Sequence, residues 1–122
     1  AASDVYKRQI IKSADGIIIS FAEHNSVYTA AFKNIFDWIS RIEKIVWYNK
    51  PMLLLSTSDG SRGAKTVLEI AYKRISRGNP HSIPTFSLPN FDDNFEINKG
   101  ITNSKLNKEF KKSLELFTLN LS

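Results

Sequence analysis

The feature that most constrains the fold is the alternation of short apolar runs with longer helical patterns. The apolar runs lie at residues 17–19, 52–55 and 83–88, and the helical patterns at 28–46, 64–77 and 102–119. The first two runs contain no polar residue, which is typical of strands buried on both faces of a parallel sheet. Pro84 inside the third run indicates an edge or interrupted strand. This alternation predicts an α/β fold with helices covering a parallel sheet.

Apolar residues at helical spacing predict which face each helix buries. The first helix carries the stripe Ala31, Ile35, Trp38, Ile42 and Ile45; the second Ala64, Val67, Leu68, Ala71 and Ile75; the third Leu106, Phe110, Leu114, Phe117 and Leu121. The stretch 90–100 between the last strand and the last helix is polar and turn-rich. We therefore expect it to form an irregular connection.

Composition excludes several classes of function. The chain has 122 residues and no cysteine, which fits one domain and excludes a disulfide scaffold, a thiol nucleophile and a Cys-ligated metal. The two histidines, His24 and His81, are too few for most transition-metal sites, so we expect no metal. No apolar run approaches the roughly 20 residues of a membrane-spanning helix, which favours a cytoplasmic protein with no membrane partner. A net charge of +5 without a dense basic stripe argues against nucleic acid.

Residues 1–9 differ from the remainder of the chain. The stretch Asp-Val-Tyr-Lys-Arg-Gln at residues 4–9 resembles a transposon-end sequencing adaptor translated as protein. We therefore expect residues 1–9 to be a non-native segment, with the natural sequence starting near Ile10. Leaving out this segment would lower the net charge from +5 to +4. The alternative is an ordinary flexible N-terminus.

Two loops follow the first two predicted strands, at residues 20–27 and 56–63. In open α/β sheets, ligands bind at the carboxyl ends of the strands. The second loop contains Gly60 and Gly63, which let backbone N–H groups approach a ligand next to the positive end of a helix. Neither a Walker motif nor a dinucleotide GxGxxG motif is present. On spacing alone, the first loop is best interpreted as solvated, and the second as a strand-to-helix turn that could also bind a ligand.

Four separated motifs resemble the NAD(P)H-dependent FMN reductase family. Residues 20–25, Ser-Phe-Ala-Glu-His-Asn, and 31–38, Ala-Phe-Lys-Asn-Ile-Phe-Asp-Trp, are similar to its Thr-Pro-Glu-Tyr-Asn-Gly-Ser and Leu-Lys-Asn-x-x-Asp-Trp patterns. Residues 56–64, Ser-Thr-Ser-Asp-Gly-Ser-Arg-Gly-Ala, are similar to Ser-Thr-Ser-Pro-Gly-x-Arg-Gly-Gly, and 86–95 to its last-strand region. The resemblance covers residues 14–117. The departures from the pattern are Ala22, His24, Ser26, Asp59 and Ala64.

The resemblance implies a flavodoxin-like three-layer α/β/α sandwich and a flavin reaction. FMN is the implied cofactor and NAD(P)H the co-substrate, with a hydride passing to FMN and the electrons then to a small quinone, azo or other acceptor. No catalytic side chain is implied, because the flavin carries the chemistry. The implied cofactor-binding residues are Ala22, Glu23, His24, Asn25, Ser26, Ser58, Gly60, Ser61, Arg62 and Gly63. Alternatives are an electron-transfer or FMN-binding protein without its own reductase activity, against which the positive charge argues, and a fold relic without flavin.

The resemblance also implies an incomplete domain and an oligomer. The three predicted strands correspond to strands 3, 4 and 5 of the flavodoxin order 2-1-3-4-5, so strands 1 and 2 and the phosphate-binding loop are expected to be missing. Residues 10–122 would then be the C-terminal part of a single domain, inactive by itself. The family forms dimers or tetramers, which implies self-association through the helix 28–46, with Tyr28, Phe32, Phe36 and Trp38 as possible contacts.

Overall fold

A computed structural model describes residues 2–121 of the chain. Its helices are α1 (Ala2–Ser13), α2 (Ala30–Ile42), α3 (Lys65–Ile75), α4 (Phe91–Asn94) and α5 (Ser104–Leu119). Its strands are β1 (Ile17–Phe21), β2 (Glu23–His24), β3 (Val27–Tyr28), β4 (Met52–Thr57), β5 (Thr85–Leu88), β6 (Phe95–Glu96) and β7 (Gly100–Ile101). The predicted alternation of strands and helices is confirmed.

The main sheet is parallel and has the strand order β1-β4-β5. Ile17 pairs with Met52 and Phe21 with Ser56, while Leu54 pairs with Thr85 and Thr57 with Leu88. This order agrees with three consecutive strands of the expected sheet. Two short antiparallel hairpins, β2–β3 and β6–β7, lie outside it.

Helices cover both faces of the sheet, which gives the expected three layers. Leu54 belongs to a core that contains Val67 and Ala71 of α3 and is flanked by Phe32 of α2. Side chains of successive strand residues point to opposite faces. On the opposite face, Phe86 of β5 packs edge-on against Phe110 of α5, with 5.5 Å between ring centroids.

Helix α2 differs from its prediction in both length and orientation. It ends at Ile42, where Glu43 adopts extended backbone angles, and Tyr48 and Asn49 then have left-handed φ angles. The prediction of a helix over residues 28–46 is therefore wrong at its C-terminal end. The predicted buried stripe is also wrong, because Ala31, Trp38, Ile42 and Ile45 are exposed and Ile35 is only partly buried. The helix buries Phe36 and Ile39 instead. The stripe predicted for α3 is confirmed in full, because all five residues are buried.

Three further differences from the predictions concern β1, the N-terminal segment and the stretch 90–100. Ile18 in β1 is 52% exposed. The prediction that this strand is buried on both faces is therefore wrong, because α5 lies over β4 and β5. Residues 2–13 form a helix that the sequence did not predict, with a 2.8 Å ion pair from Arg8 Nη1 to Glu43 Oε1; Ala1 lies outside the described residues. The stretch 90–100 contains α4 and the β6–β7 hairpin. Within residues 2–121, no helix is long and apolar enough to cross a membrane.

Candidate active site at the carboxyl edge of the sheet

Two loops leave neighbouring strands at the same edge of the sheet. Phe21, the last residue of β1, pairs with Ser56 near the end of β4. The first loop, residues 22–26, and the second loop, residues 58–63, therefore begin side by side. The expectation that both loops face one crevice is consistent with this register.

The first loop folds as a tight β-hairpin. Asn25 and Ser26 connect β2 to β3 with φ angles of 51° and 71°. Two successive left-handed residues are the signature of a type I′ turn, which favours Asn followed by Gly. Ser26 thus occupies a position where its Cβ is disfavoured. Ala22, His24 and Asn25 are exposed around this turn.

Tyr28 holds the hairpin against α2. Its ring centroid lies 5.9 Å from that of Phe21 and 4.9 Å from that of Phe32. Burial raises the pKa of the Tyr28 hydroxyl, and the positive charge of Arg74 opposes part of this rise. The neutral hydroxyl is therefore the stable form. Tyr28 accordingly serves as an apolar anchor of the loop.

The second loop is fixed by the segment that follows β5. The Thr57 hydroxyl donates to the Leu88 carbonyl at 2.7 Å. The amide of Phe91 donates to the Ser58 carbonyl at 3.0 Å, and that of Asn90 to the Gly60 carbonyl at 2.9 Å. These bonds join the residues that follow β4 to those that follow β5, so the start of the second loop has a defined position.

Gly63 is buried, and packing alone explains the glycine. Its φ is 58°, and a Cβ at this position would lie 2.9 Å from both the Leu88 carbonyl carbon and the Pro89 nitrogen. Its carbonyl accepts hydrogen bonds from the hydroxyls of Ser56 at 2.7 Å and Ser87 at 2.8 Å. Sequence reasoning missed both serines, although the hydroxyl run at residues 56–58 was a signal for one of them. Contact of Gly63 with a flavin stays a prediction.

The outer part of the second loop is open. Gly60, Ser61 and Arg62 are exposed, and their amides have no hydrogen-bond acceptor within residues 2–121. Arg62 Nη2 donates to the Thr66 hydroxyl at 2.9 Å, which places the guanidinium along the first turn of α3. Free amides beside a guanidinium make this a place for electron-rich ligand atoms.

Glu23 connects the first loop to helix α3, which follows the second loop. Its Oε2 atom accepts a hydrogen bond from the backbone N–H of Val67 at 2.9 Å, across 44 residues of sequence. The family resemblance implies that Glu23 borders a ligand, but no local pattern indicates this contact with α3.

The predicted site residues differ in how accessible they are. Exposed are Ala22, His24, Asn25, Ser26, Gly60, Ser61 and Arg62; partly buried are Glu23 and Ser58; buried is Gly63. The exposed members form the surface that a ligand can reach.

Two cavities lie near this edge. One of about 420 Å³ is lined by Ser20, Thr57, Leu88 and the rings of Phe91, Phe95 and Phe110, among others. The other, of about 890 Å³, runs along β5 between α3 and α5 and reaches Arg62. Most of the side chains that line the 420 Å³ cavity are apolar.

Several known proteins are similar to this chain in sequence. The family model for NADPH-dependent FMN reductase matches residues 5–91. An NADPH:quinone oxidoreductase of Arabidopsis thaliana is 32% identical over 122 residues, covering 93% of this chain and 61% of the relative. An NADPH azoreductase of Bacillus sp. strain OY1-2 is 27% identical over 77 residues, covering 63% of this chain and 42% of the relative. The chain thus spans about three fifths or less of these curated relatives.

A solved structure confirms the fold. FerB, a flavoenzyme NAD(P)H:(acceptor) oxidoreductase from Paracoccus denitrificans, superposes with a TM-score of 0.77 at 20% identity. The superposition covers 99% of this chain and 68% of FerB. The parallel sheet with helices on both faces is therefore a flavodoxin-like arrangement.

Proposed function

The chain belongs to the NADPH-dependent FMN reductase family, and we propose that it acts as an NAD(P)H-dependent flavin oxidoreductase in the cytoplasm. The observation that carries this proposal is the meeting of the two loops at the carboxyl edge of the sheet. The names of two relatives, a quinone oxidoreductase and an azoreductase, support a quinone, azo compound or similar small molecule as the electron acceptor.

The exposed loop residues suit the ring of FMN. The open amides of Gly60 and Ser61 can donate to the oxygen and nitrogen acceptors of the pyrimidine edge, and Ala22 to Ser26 can border the ring. Bound FMN supplies hydride and electron transfer, which the side chains do not perform themselves. The Arg62 guanidinium favours the negative charge that a reduced flavin carries. The protein's part is therefore to bind and orient the ring.

Arg62 provides a test of this proposal. In the protein encoded by the complete gene, we expect Arg62→Ala to raise the KM for FMN about tenfold in NADPH oxidation with a quinone acceptor. Arg77→Ala at the other end of α3 is the matched control, because Arg77 is also exposed and carries the same charge. Equal effects of the two substitutions would contradict the assignment of Arg62. Absence of NADPH oxidation in a protein that binds FMN would favour an electron carrier.

We also propose that β1 pairs with a further strand. Within residues 2–121, β1 pairs with β4 alone, which leaves its other edge without hydrogen-bond partners. Ile18 is half-exposed, and the 420 Å³ cavity opens beside Ser20. A strand and helix at this edge would satisfy the backbone groups and cover the apolar surface. Residues 10–122 would then be the C-terminal part of a larger single domain.

Residues 1–9 are proposed to be foreign to this domain, and the family match, which begins at residue 5, overlaps them by five residues only. Val5, Tyr6, Lys7 and Gln9 are exposed, and Arg8 makes one partly buried ion pair. Such a pair contributes about 1 kcal/mol or less. Deletion of residues 1–9 removes this pair and shortens α1 to residues 10–13, and the remaining chain is still expected to unfold cooperatively in urea. A chain that fails to fold after the deletion would contradict the proposal.

Self-association through α2 is proposed as well. Phe36 is buried, and Tyr28 and Phe32 are packed against the core, so these rings are occupied within one chain. Trp38 and Ile42 remain 47% and 48% exposed on the same helix. Of the expected contact residues, Trp38 is therefore the one that offers an accessible ring.

A further inference from the structure

The side chain of Glu23 ends at the first turn of α3. Its Oε2 atom accepts the N–H of Val67, the third residue of the helix, at 2.9 Å. The first N–H groups of a helix have no acceptor within the helix and need one from elsewhere. Glu23, which lies in β2 of the first loop, supplies that acceptor.

No nearer residue caps this helix. Ala64, which precedes α3, has a left-handed φ of 59° and no side-chain oxygen, and the first turn contains no acidic residue. Arg62 and Lys65 add positive charge at a terminus that the helix dipole already makes positive. A carboxylate from a distant part of the chain is therefore well suited to this position.

The hairpin, in turn, needs an external anchor. Each of its strands has two residues, and a hairpin of this size is not stable in water by itself. Tyr28 anchors β3 through its packing on Phe21 and Phe32. Glu23 pairs with Tyr28 across the hairpin, so its bond to Val67 anchors the other strand, β2.

We propose that Glu23 is a positioning residue whose carboxylate sets the spacing between the first and second loops. The tip of the hairpin on one side and Gly60, Ser61 and Arg62 on the other then form a gap of fixed width. That this gap receives a flavin ring rests on the proposed function, whereas the link between the loops does not.

Amide hydrogen exchange of the full chain, without ligand, tests the link. In Glu23→Ala we expect the amides of Val67 and Val27 to exchange about tenfold faster, with Leu54 in β4 unchanged. Glu23→Gln keeps an oxygen acceptor and is expected to retain most of the protection. Glu115→Gln, at an exposed glutamate of α5, controls for the lost charge. Wild-type exchange at Val27 in Glu23→Ala would overturn the proposal.

Lumiflavin, which has the FMN ring but no phosphate, tests the consequence for binding. Titration followed by NMR is expected to shift the amides of Gly60 and Ser61, with a Kd about tenfold weaker in Glu23→Ala and unchanged in Glu115→Gln. Equal affinity in the wild type and Glu23→Ala would overturn the positioning role. If lumiflavin shifts neither loop of the wild type, the proposed function fails here, and the exchange rates alone decide whether Glu23 holds the hairpin.

Discussion

Ser26 carries a backbone conformation that a glycine would adopt more easily. Its φ of 71° places it in the left-handed region, next to Asn25 at 51°. In this region, a Cβ lowers the free energy of unfolding by roughly 1–2 kcal/mol. The extra freedom of glycine in the unfolded chain lowers it by about 0.5–1 kcal/mol. The hairpin therefore tolerates a serine at a position where its turn type favours glycine.

Ser26→Gly is expected to stabilise the chain by about 0.5 kcal/mol in urea unfolding, because the relief of the left-handed strain exceeds the added entropy of the unfolded chain. Ser61→Gly is the matched control: Ser61 is also an exposed loop serine, but it has no positive φ. We expect the control to be destabilised by a similar amount. Destabilisation by both substitutions would contradict the type I′ assignment.

Gly63 shows the opposite case, in which a Cβ is excluded. Gly63→Ala would combine a φ of 58° with contacts of 2.9 Å to the backbone of Leu88 and Pro89. We expect a loss of about 2–4 kcal/mol in the free energy of unfolding. Gly78→Ala separates the two causes, because Gly78 has a φ of 81° and no atom within 4 Å of the added Cβ. Its expected cost is about 1 kcal/mol, and an equal cost at both glycines would contradict the packing argument.

The helices differ in how well their buried faces could be predicted. In α3, the predicted stripe is continuous and leaves Ile70 and Tyr72 outside it, and Gly78 and Pro80 mark the end of the helix, so spacing alone identified the core face. In α2, apolar residues lie on two adjacent stripes, one with Trp38 and one with Ile39. Spacing cannot choose between them, since the choice depends on the sheet and on Trp47, which stacks on Phe32.

In the candidate site as well, some features could be predicted from the sequence and others could not. The loop positions follow from strand ends and from motifs, which are local features of the sequence. The bonds that fix the loops join residues far apart: Glu23 with Val67, and Thr57 with Leu88. Such contacts depend on the order of strands in the sheet, which no local pattern contains. Local patterns therefore predict where the two loops begin, which agrees with the strand register, and not the hydrogen bonds that hold the loops.

Helix α2 presents an apolar surface that can be tested for self-association. Trp38 and Ile42 are about half-exposed, and the Arg41 guanidinium lies 5.9 Å from the centroid of the Trp38 ring. We expect Trp38→Lys to lower the mass measured by light scattering after gel filtration, because a charge would have to be buried in the contact. The fold itself should be unaffected, since the side chain is exposed.

Ile97→Lys is the control for this experiment. Ile97 is 89% exposed on the β6–β7 hairpin, so the same charge is introduced at an apolar residue outside α2. The mass of this variant is expected to equal that of the wild type. An oligomer that survives Trp38→Lys, or a wild-type chain that is already monomeric, would contradict the assignment of α2.

Under the proposed function, the described chain supplies contacts for the flavin ring, and the contacts for the phosphate lie outside it. The loops at the carboxyl edge provide the amides of Gly60 and Ser61 and the guanidinium of Arg62, while the free edge of β1 adjoins the place where the family resemblance puts the phosphate loop. A phosphate dianion contributes to affinity chiefly through charge-assisted hydrogen bonds to such a loop. Ring contacts alone give weak binding, because ordering the loops offsets part of the gain.

FMN and lumiflavin should therefore bind this chain with nearly equal affinity, each with a Kd weaker than about 100 μM, in NMR titrations. The two ligands share the ring and differ in the ribityl phosphate, so the ratio of their Kd values isolates what the phosphate contributes. A ratio above about tenfold in favour of FMN, equivalent to about 1.4 kcal/mol, would show a phosphate site within this chain.

Micromolar FMN binding would contradict the proposal that a further strand and loop complete the site. In the protein from the complete gene, the same ratio is expected to rise well above tenfold, because the phosphate then gains its partners.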